Sequence, residues 1–246
     1  SRNSKKRLMK WGRAHGAALV VDGDSVVPGG YRSGVEESPP VNGWRLRQSP
    51  PRWEPMPQAP YVVASGVAVL DGFAWFGDVG GELRQLNLRT LAERVIPRDG
   101  LIGRDHSQVV AFQGEIWMIG GRDASLQHNA TVSIYDPAAD AWRPGPPLRI
   151  SRAGFAAAAD DRMILAAGGE RLGNPRSVVG DVEGIAAGAA TWETMGRLPA
   201  PVHGFGGAIR GNAFYTIGGS RSPGHARNEG QVQGYPPSPR FAARAG

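Results

Sequence analysis

Double glycines follow apolar runs at five places in this chain, and their spacing limits the fold more than any other feature. The first glycines of the pairs are Gly29, Gly80, Gly120, Gly168 and Gly218. Successive pairs are 51, 40, 48 and 50 residues apart. A period near fifty residues is that of a propeller blade and not of a helical solenoid.

A tight turn precedes each double glycine by a few residues. In the third repeat, apolar residues 108–112 and 115–119 flank the turn Gln113-Gly114. Two short β-rich runs around such a turn predict a β-hairpin. The double glycine then allows a positive φ or a close backbone approach. The corresponding turns in the other repeats are Asp22-Gly23, Asp71-Gly72, Asp160-Asp161 and Gly211-Asn212.

Two further runs complete each repeat. The third run is clearest at residues 131–137, and the fourth begins with a tryptophan at Trp53, Trp142 and Trp192. We expect Trp142 and Trp192 to be buried between blades. The fold class predicted is all-β, a propeller of about five four-stranded blades. A basic arm at residues 1–12 precedes blades at about 13–60, 61–103, 104–151, 152–201 and 202–246.

The repeats resemble the kelch family. Residues 105–121, followed by Tyr135-Asp136-Pro137 and Trp142, are similar to a kelch repeat nearly throughout. Residues 202–219 are similar to the first half of another, and the match extends over about residues 13–240. The resemblance implies a kelch-type β-propeller. Because such propellers usually have six or seven blades, either this ring closes at five or a blade is missing from the given sequence.

The composition limits the kinds of partner that the chain is expected to bind. The formal net charge is +6, but the basic residues crowd the first ten positions and are elsewhere mixed with acidic ones. This distribution favours a solvated terminal arm over a specific nucleic-acid site. No apolar run approaches 20 residues, so no transmembrane segment is expected. The chain has no cysteine, which suits any compartment, with an exported or periplasmic one slightly favoured. The Ala/Gly/Arg-rich composition indicates a bacterial source.

Basic and imidazole side chains recur near the start of the first strand of the repeats. Equivalent positions in successive blades point to equivalent places around the axis, so we expect these groups at the mouth of the central channel. Such a ring could bind a carboxylate or a phosphorylated ligand. In the structural alternative, the same side chains hydrogen-bond the backbone that links the blades. The residues are Arg13, His15, Arg104, His106, Arg152 and His203.

The segment GGERLGNPR at residues 168–176 carries a second resemblance. It is similar to a Gly-Glu…Arg segment in the bacterial sialic acid epimerases, which are kelch propellers. The resemblance implies catalytic roles for Glu170 and Arg176. A carboxylate can move the proton between an anomeric hydroxyl and a ring oxygen, and an arginine can hold the substrate carboxylate. Alternatively, Glu170 caps the loop or forms a surface ion pair with Arg171 or Arg176.

These observations favour a non-catalytic binding or scaffold propeller that engages a protein or an anionic small molecule at one face. The alternative is a sialic-acid-type epimerase or mutarotase that uses Glu170 and Arg176. A second alternative is a peripheral subunit of a larger assembly, docked through the basic arm. We expect no cofactor and no metal site, since His128 and His225 lie in loops without clustered partners.

Overall fold

The computed structural model describes residues 13–14, 19–21, 24–27, 31–32, 43–56, 63–78, 80–224 and 232–235. These residues form strands, turns and loops, and none of them lies in an α-helix. Within this part of the chain no helix is long and apolar enough to span a membrane. The all-β prediction is confirmed.

The first two sheets are four-stranded and antiparallel, and each follows the chain from one edge to the other. A separate two-stranded antiparallel sheet is formed by β1 (Arg13–Ala14) and β4 (Tyr31–Arg32), which belong to the same repeat as the first four-stranded sheet. The first sheet contains β2 (Leu19–Val21), β3 (Asp24–Val27), β5 (Gly43–Gln48) and β6 (Pro51–Met56). The second contains β7 (Val63–Leu70), β8 (Phe73–Asp78), β9 (Leu83–Asn87) and β10 (Glu93–Ile96).

The third and fourth sheets repeat this arrangement. The third contains β11 (Gln108–Phe112), β12 (Glu115–Ile119), β13 (Val132–Asp136) and β14 (Ala141–Gly145). The fourth contains β15 (Ala156–Ala159), β16 (Met163–Ala167), β19 (Asp181–Ala186) and β20 (Glu193–Arg197). A small hairpin of β17 (Glu170–Arg171) and β18 (Ser177–Val178) lies between β16 and β19.

The fifth sheet has three described strands, β21 (Gly206–Arg210), β22 (Ala213–Ile217) and β23 (Val232–Tyr235). The first strands of the sheets contact one another in chain order, from β2 through β7, β11 and β15 to β21. Sheets that adjoin in this way through their first strands are blades arranged around an axis. The described sheets are consistent with the prediction of about five blades.

The hydrophobic core lies between neighbouring blades. In β12, Ile116 and Met118 belong to the cluster shared with the second blade. Trp117 and Ile119, which alternate with them, belong to the cluster shared with the fourth blade. Because successive side chains of a strand point to opposite faces of the sheet, an unbroken apolar run buries both faces of a blade. The blades therefore stabilise one another.

The predicted hairpin turns are present where the structure describes them. Asp71 and Gly72 have φ values of 52° and 79°, and Gln113 and Gly114 have values of 53° and 79°. Two consecutive positive φ angles suit the tight two-residue turns of β-hairpins. Two predicted features of the first repeat, the turn Asp22-Gly23 and the pair Gly29-Gly30, lie outside the described residues.

The double glycines bring consecutive blades into backbone contact. A Cβ at Gly168, where φ is 67°, would lie only 2.6 Å from the carbonyl oxygen of Val202 in the next blade. The adjacent Gly169 donates its N–H to that oxygen at 2.9 Å, and Gly121 donates to the Arg152 carbonyl at the same distance. Both reasons for the repeated glycines, the positive φ and the close approach, therefore apply.

The tryptophans that begin the fourth strands reach back to the preceding blade. Trp192 is 1% exposed, and its indole N–H donates to the Pro146 carbonyl at 2.8 Å. Trp142 donates to the Pro97 carbonyl at 2.7 Å and contacts the Tyr135 ring, but it is only half-buried. The predicted burial is confirmed for Trp192 and is incomplete for Trp142.

Candidate functional site

All the predicted site residues that the structure describes with side chains lie at one end of the blades. In an antiparallel blade, the loop between the second and third strands shares an end with the connections between blades. We call this end the loop face; in the third to fifth blades it comprises residues 97–107, 120–131, 146–155, 168–180, 198–205 and 218–224. The opposite end, the turn face, contains residues 113–114, 137–140, 160–161, 187–192 and 211–212.

Three equivalent backbone positions lie on the loop face at the inner edges of three blades, a place that we call the mouth. His106, Gly154 and Gly204 have φ values of 52°, 59° and 63° in consecutive blades. Gly154 donates its N–H to the His106 carbonyl at 3.0 Å, and Gly204 donates to the Gly154 carbonyl at 2.7 Å. These bonds join the inner edges of three blades directly.

A second set of equivalent positions follows each double glycine. Arg122 bridges to Asp105, Glu170 to Ala153, and Ser220 to His203, each as an antiparallel pair. The residue after the double glycine therefore lies next to the first strand of its own blade, at the mouth. Asp105 and Arg122 were not among the site residues predicted from the sequence, although the position directly after the double glycine would have indicated Arg122.

In the third blade, the charges at the mouth neutralise one another. Arg122 Nε donates to Asp105 Oδ1 at 2.9 Å, and His106 Nδ1 lies 3.0 Å from Asp105 Oδ2. Burial acts to raise the pKa of Asp105, but hydrogen bonds from His106 and Arg122 outweigh it, so the pKa is lowered. Asp105 is thus held as a carboxylate that neutralises the Arg122 guanidinium.

In the fourth blade, Glu170 is 5% exposed and lies against the fifth blade. Its Oε2 accepts the Gly224 N–H at 2.7 Å and lies 3.4 Å from His203 Nδ1. His203 donates from Nε2 to the Ser222 carbonyl at 2.6 Å. The side chains of Glu170 and His203 therefore contact each other and the segment of residues 220–224. The exposed Arg176 approaches the same segment, because its Nη1 is 3.4 Å from the position of a Cβ placed on Gly224.

The third and fourth blades also contact each other through His128. Its Nδ1 accepts the Leu172 N–H at 3.5 Å, which joins the loop at 122–130 to the hairpin at 170–178. Burial lowers the pKa of His128, although the nearby Glu170 acts in the opposite direction. In the part of the chain that is described, no group of three or more His, Cys, Asp or Glu residues could hold a metal ion.

Arg104 and Arg152 turn away from the mouth. Each residue precedes the first strand of its blade, and its side chain extends across the second strand to the third. Arg152 is fully buried, donates to the carbonyls of Gly168 and Asp181, and pairs with Glu183. Arg104 is 3% exposed and bonds the backbone of the third blade in the same way. The two arginines thus bond mainly the backbone of their own blades, and a ligand-binding role for them at the mouth stays a prediction.

The remaining two residues of the predicted ring belong to the first repeat. Arg13 lies in β1, but its side chain is not among those described, and His15 lies outside the described residues. Their place at the mouth stays a prediction. His225, which was considered as a metal ligand, also lies outside the described residues.

Four-stranded antiparallel blades repeat along the chain, and double glycines bring neighbouring blades into backbone contact. This arrangement defines a β-propeller of the kelch type. The kelch motif family model matches residues 103–149. The solved structure of YjhT superposes with a TM-score of 0.70 over 90% of this chain and 81% of YjhT, at 14% identity. This likeness supports the fold alone. The kelch motif and this fold together support a kelch-repeat β-propeller.

Several characterised proteins share part of the sequence. Kelch-like protein 34 of Homo sapiens is 34% identical over 108 residues, which cover 44% of this chain and 16% of that protein. Beta-scruin of Limulus polyphemus is 36% identical over 66 residues, or 27% and 7% of the two chains. Kelch repeat and BTB domain-containing protein 1 of Ectromelia virus is 27% identical over 112 residues, or 45% and 20%. The chain thus spans at most a fifth of these relatives.

Proposed function

We propose that this propeller is a binding module whose loop face recognises an acidic, carboxylate-rich segment of a protein partner. The observation that supports this proposal is a set of exposed arginines beside the mouth. Arg149, Arg171 and Arg176 are exposed, and none of them pairs with a carboxylate within the described part of the chain. Surface arginines of this kind attract and orient carboxylates.

The acidic groups of the loop face do not offset these arginines. Glu170 is buried and accepts hydrogen bonds, Asp105 pairs with Arg122, and Asp181 pairs with Arg197. Asp123 accepts the backbone N–H groups of its own loop, and Asp99 is the one acidic residue of the described loop face that is exposed, against the three exposed arginines named above. The exposed surplus charge near the mouth is therefore positive, which favours an anionic partner by long-range attraction.

Binding of a fluorescein-labelled deca-glutamate peptide, followed by fluorescence anisotropy, tests the proposal. We expect binding at 20 mM NaCl that weakens at 200 mM, since salt screens exposed charges. An exposed charge contact contributes at most about 1 kcal/mol. The double variant Arg171→Ser/Arg176→Ser is therefore expected to bind about tenfold more weakly.

The matched control removes the same charge from the other end of the blades. Arg143 pairs with Glu115 and Arg162 with Asp160, both towards the turn face. Arg143→Ser/Arg162→Ser should bind the peptide like the wild type. An equal loss in both double variants, or no binding by the wild type at 20 mM NaCl, would contradict the proposal.

A second candidate function is the epimerase or mutarotase activity that the sequence resemblance implies. It is favoured by the approach of both Glu170 and Arg176 to Gly224, which would allow them to contact one sugar acid. In this mechanism the Glu170 carboxylate transfers the proton between the anomeric hydroxyl and the ring oxygen, while Arg176 holds the substrate carboxylate. Glu170 would first have to exchange its hydrogen bond from Gly224 for one from the substrate.

NMR measurement of anomer interconversion in a sialic acid separates the two functions. For an enzyme, the wild type accelerates the exchange and Glu170→Gln abolishes the acceleration, whereas Glu115→Gln on the turn face does not change it. A wild type that leaves the exchange at its spontaneous rate would exclude the activity. Peptide binding with no acceleration would support the binding module alone.

The second alternative, a subunit that docks onto a larger assembly through the basic arm, depends on residues 1–12. These residues lie outside the described residues. Because the repeats start after this arm, removal of residues 1–10 should leave the melting temperature nearly unchanged. Unchanged recovery of the peptide by the truncated protein would leave the arm without a role in this binding.

A further inference from the structure

A cavity of about 190 Å³ lies beside the connection between the second and third blades. It is separate from the mouth, because its wall includes the start of the third strand of the third blade. The apolar side chains of Leu101 and Ile102 contribute one part of the wall. The complete lining is Gly100, Leu101, Ile102, Arg104, Asn129, Thr131 and Ser133.

Arg104 is a buried cation at this cavity. Its Nη1 donates to the Thr131 carbonyl, and its Nη2 donates to the Met118 carbonyl at 3.1 Å and to Ser133 Oγ at 2.9 Å. All three partners are neutral, and no carboxylate in the described ranges pairs with Arg104. Burial lowers the pKa of Arg104 to about 10. A buried charge without a counter-ion is costly in an apolar environment.

The fourth blade contains the same arrangement with a carboxylate in place. Arg152 is equivalent to Arg104, and it donates to the buried carboxylate of Glu183. The two Glu183 oxygens also accept the backbone N–H groups of Arg149 and Ile150, at 2.7 and 3.2 Å. One carboxylate thus neutralises the arginine and also accepts two backbone N–H groups of the connection between two blades.

The third blade has the same scaffold without that carboxylate. Ser133 pairs with Met118 across the sheet as Glu183 pairs with Ala166, so serine stands where the next blade has glutamate. By the same alignment, Ile102 stands where the next blade has Ile150. Within the described residues the Ile102 N–H donates to no acceptor, whereas the Ile150 N–H donates to Glu183.

We propose that the cavity beside Arg104 binds a short-chain monocarboxylate, whose carboxylate takes the place that the Glu183 side chain fills in the next blade. The carboxylate accepts hydrogen bonds from the Arg104 guanidinium and the Ile102 N–H. The short alkyl tail contacts Leu101 and the Ile102 side chain. A cavity of about 150 Å³ can hold benzene, so a three- or four-carbon acid fits into this volume.

Thermal unfolding with sodium propionate, propionamide and sodium chloride, all at one ionic strength, tests the proposal. A ligand that binds only the folded state raises its stability with the logarithm of ligand concentration. At ten times its Kd, propionate is expected to raise the melting temperature by roughly 3–6 °C. Propionamide has nearly the same shape without the charge and should give no saturable rise.

Two variants identify the site. Ser133→Glu places a tethered carboxylate in the cavity, so we expect a higher melting temperature without propionate and no further rise with it. Ser133→Gln has the same size without the charge and should not reproduce the gain. Isothermal titration calorimetry of the wild type with propionate provides an independent measurement should Ser133→Glu fail to fold. Wild-type protein that responds equally to propionate and propionamide would overturn the proposal, as would an undiminished propionate response in folded Ser133→Glu.

Discussion

Glu183→Gln removes the charge from the most deeply buried ion pair of the described residues. The side chains of Glu183 and Arg152 are both fully buried, and Glu183 also accepts the backbone N–H groups of Arg149 and Ile150. Glutamine keeps the size of the side chain and one acceptor oxygen. It leaves the Arg152 guanidinium inside the blade without a counter-ion.

Removal of one partner of a buried ion pair typically costs about 3–5 kcal/mol. Because glutamine keeps one acceptor oxygen, we expect the lower end, about 3 kcal/mol of unfolding free energy. For a domain of this size each kcal/mol lowers the melting temperature by about 2–4 °C, so the variant should melt about 6–12 °C lower. Urea unfolding followed by circular dichroism gives the free energy, and a thermal scan gives the melting temperature.

Glu115→Gln is the matched control, since it makes the same chemical change in a partly exposed pair with Arg143. Exposed ion pairs contribute little to stability, so this variant should unfold almost like the wild type. Equal, small losses in both variants would show that the buried Arg152 charge does not need Glu183.

The tryptophans and Tyr135 give two further predictions. Trp192→Ala should cost about 3–5 kcal/mol, as large truncations in a core do, and Trp142→Ala should cost clearly less because its ring is half-buried; urea unfolding compares the two. Burial and the hydrogen bond to Asp140 raise the pKa of Tyr135 from 10.0 to about 12. The stabilisation linked to this group is fully present below pH 10 and is lost as the pH rises through about 12, and Asp140→Asn should lower the Tyr135 pKa in an ultraviolet titration.

The fold could be predicted from the sequence because its signals are local. A turn such as Asp71-Gly72 needs two positive φ angles, and the residue types that tolerate them are visible in the sequence. The burial of Trp192 followed from the repeat, since neighbouring blades must share a core. The partial burial of Trp142 could not be predicted, because it depends on how far the preceding blade covers the ring.

The directions in which the side chains of the site residues point were harder to predict from the sequence. Arg104 and His106 are two positions apart, which in a regular strand would place them on one side. The positive φ of His106 breaks this alternation, so the arginine turns into the blade. The pairing of Arg152 with Glu183 joins residues from different strands and has no signature at the level of a repeat. These side-chain contacts decide which groups remain for binding.

Hydrogen–deuterium exchange with and without the deca-glutamate peptide tests whether the loop face is the binding surface. We expect slower exchange in peptides that cover residues 146–151, 168–178 and 218–224. Exchange in peptides that cover the turn face at residues 111–116, 158–163 and 209–214 should be unchanged. Protection confined to the turn-face peptides, or spread evenly over both faces, would show that the loop face is not the specific binding surface.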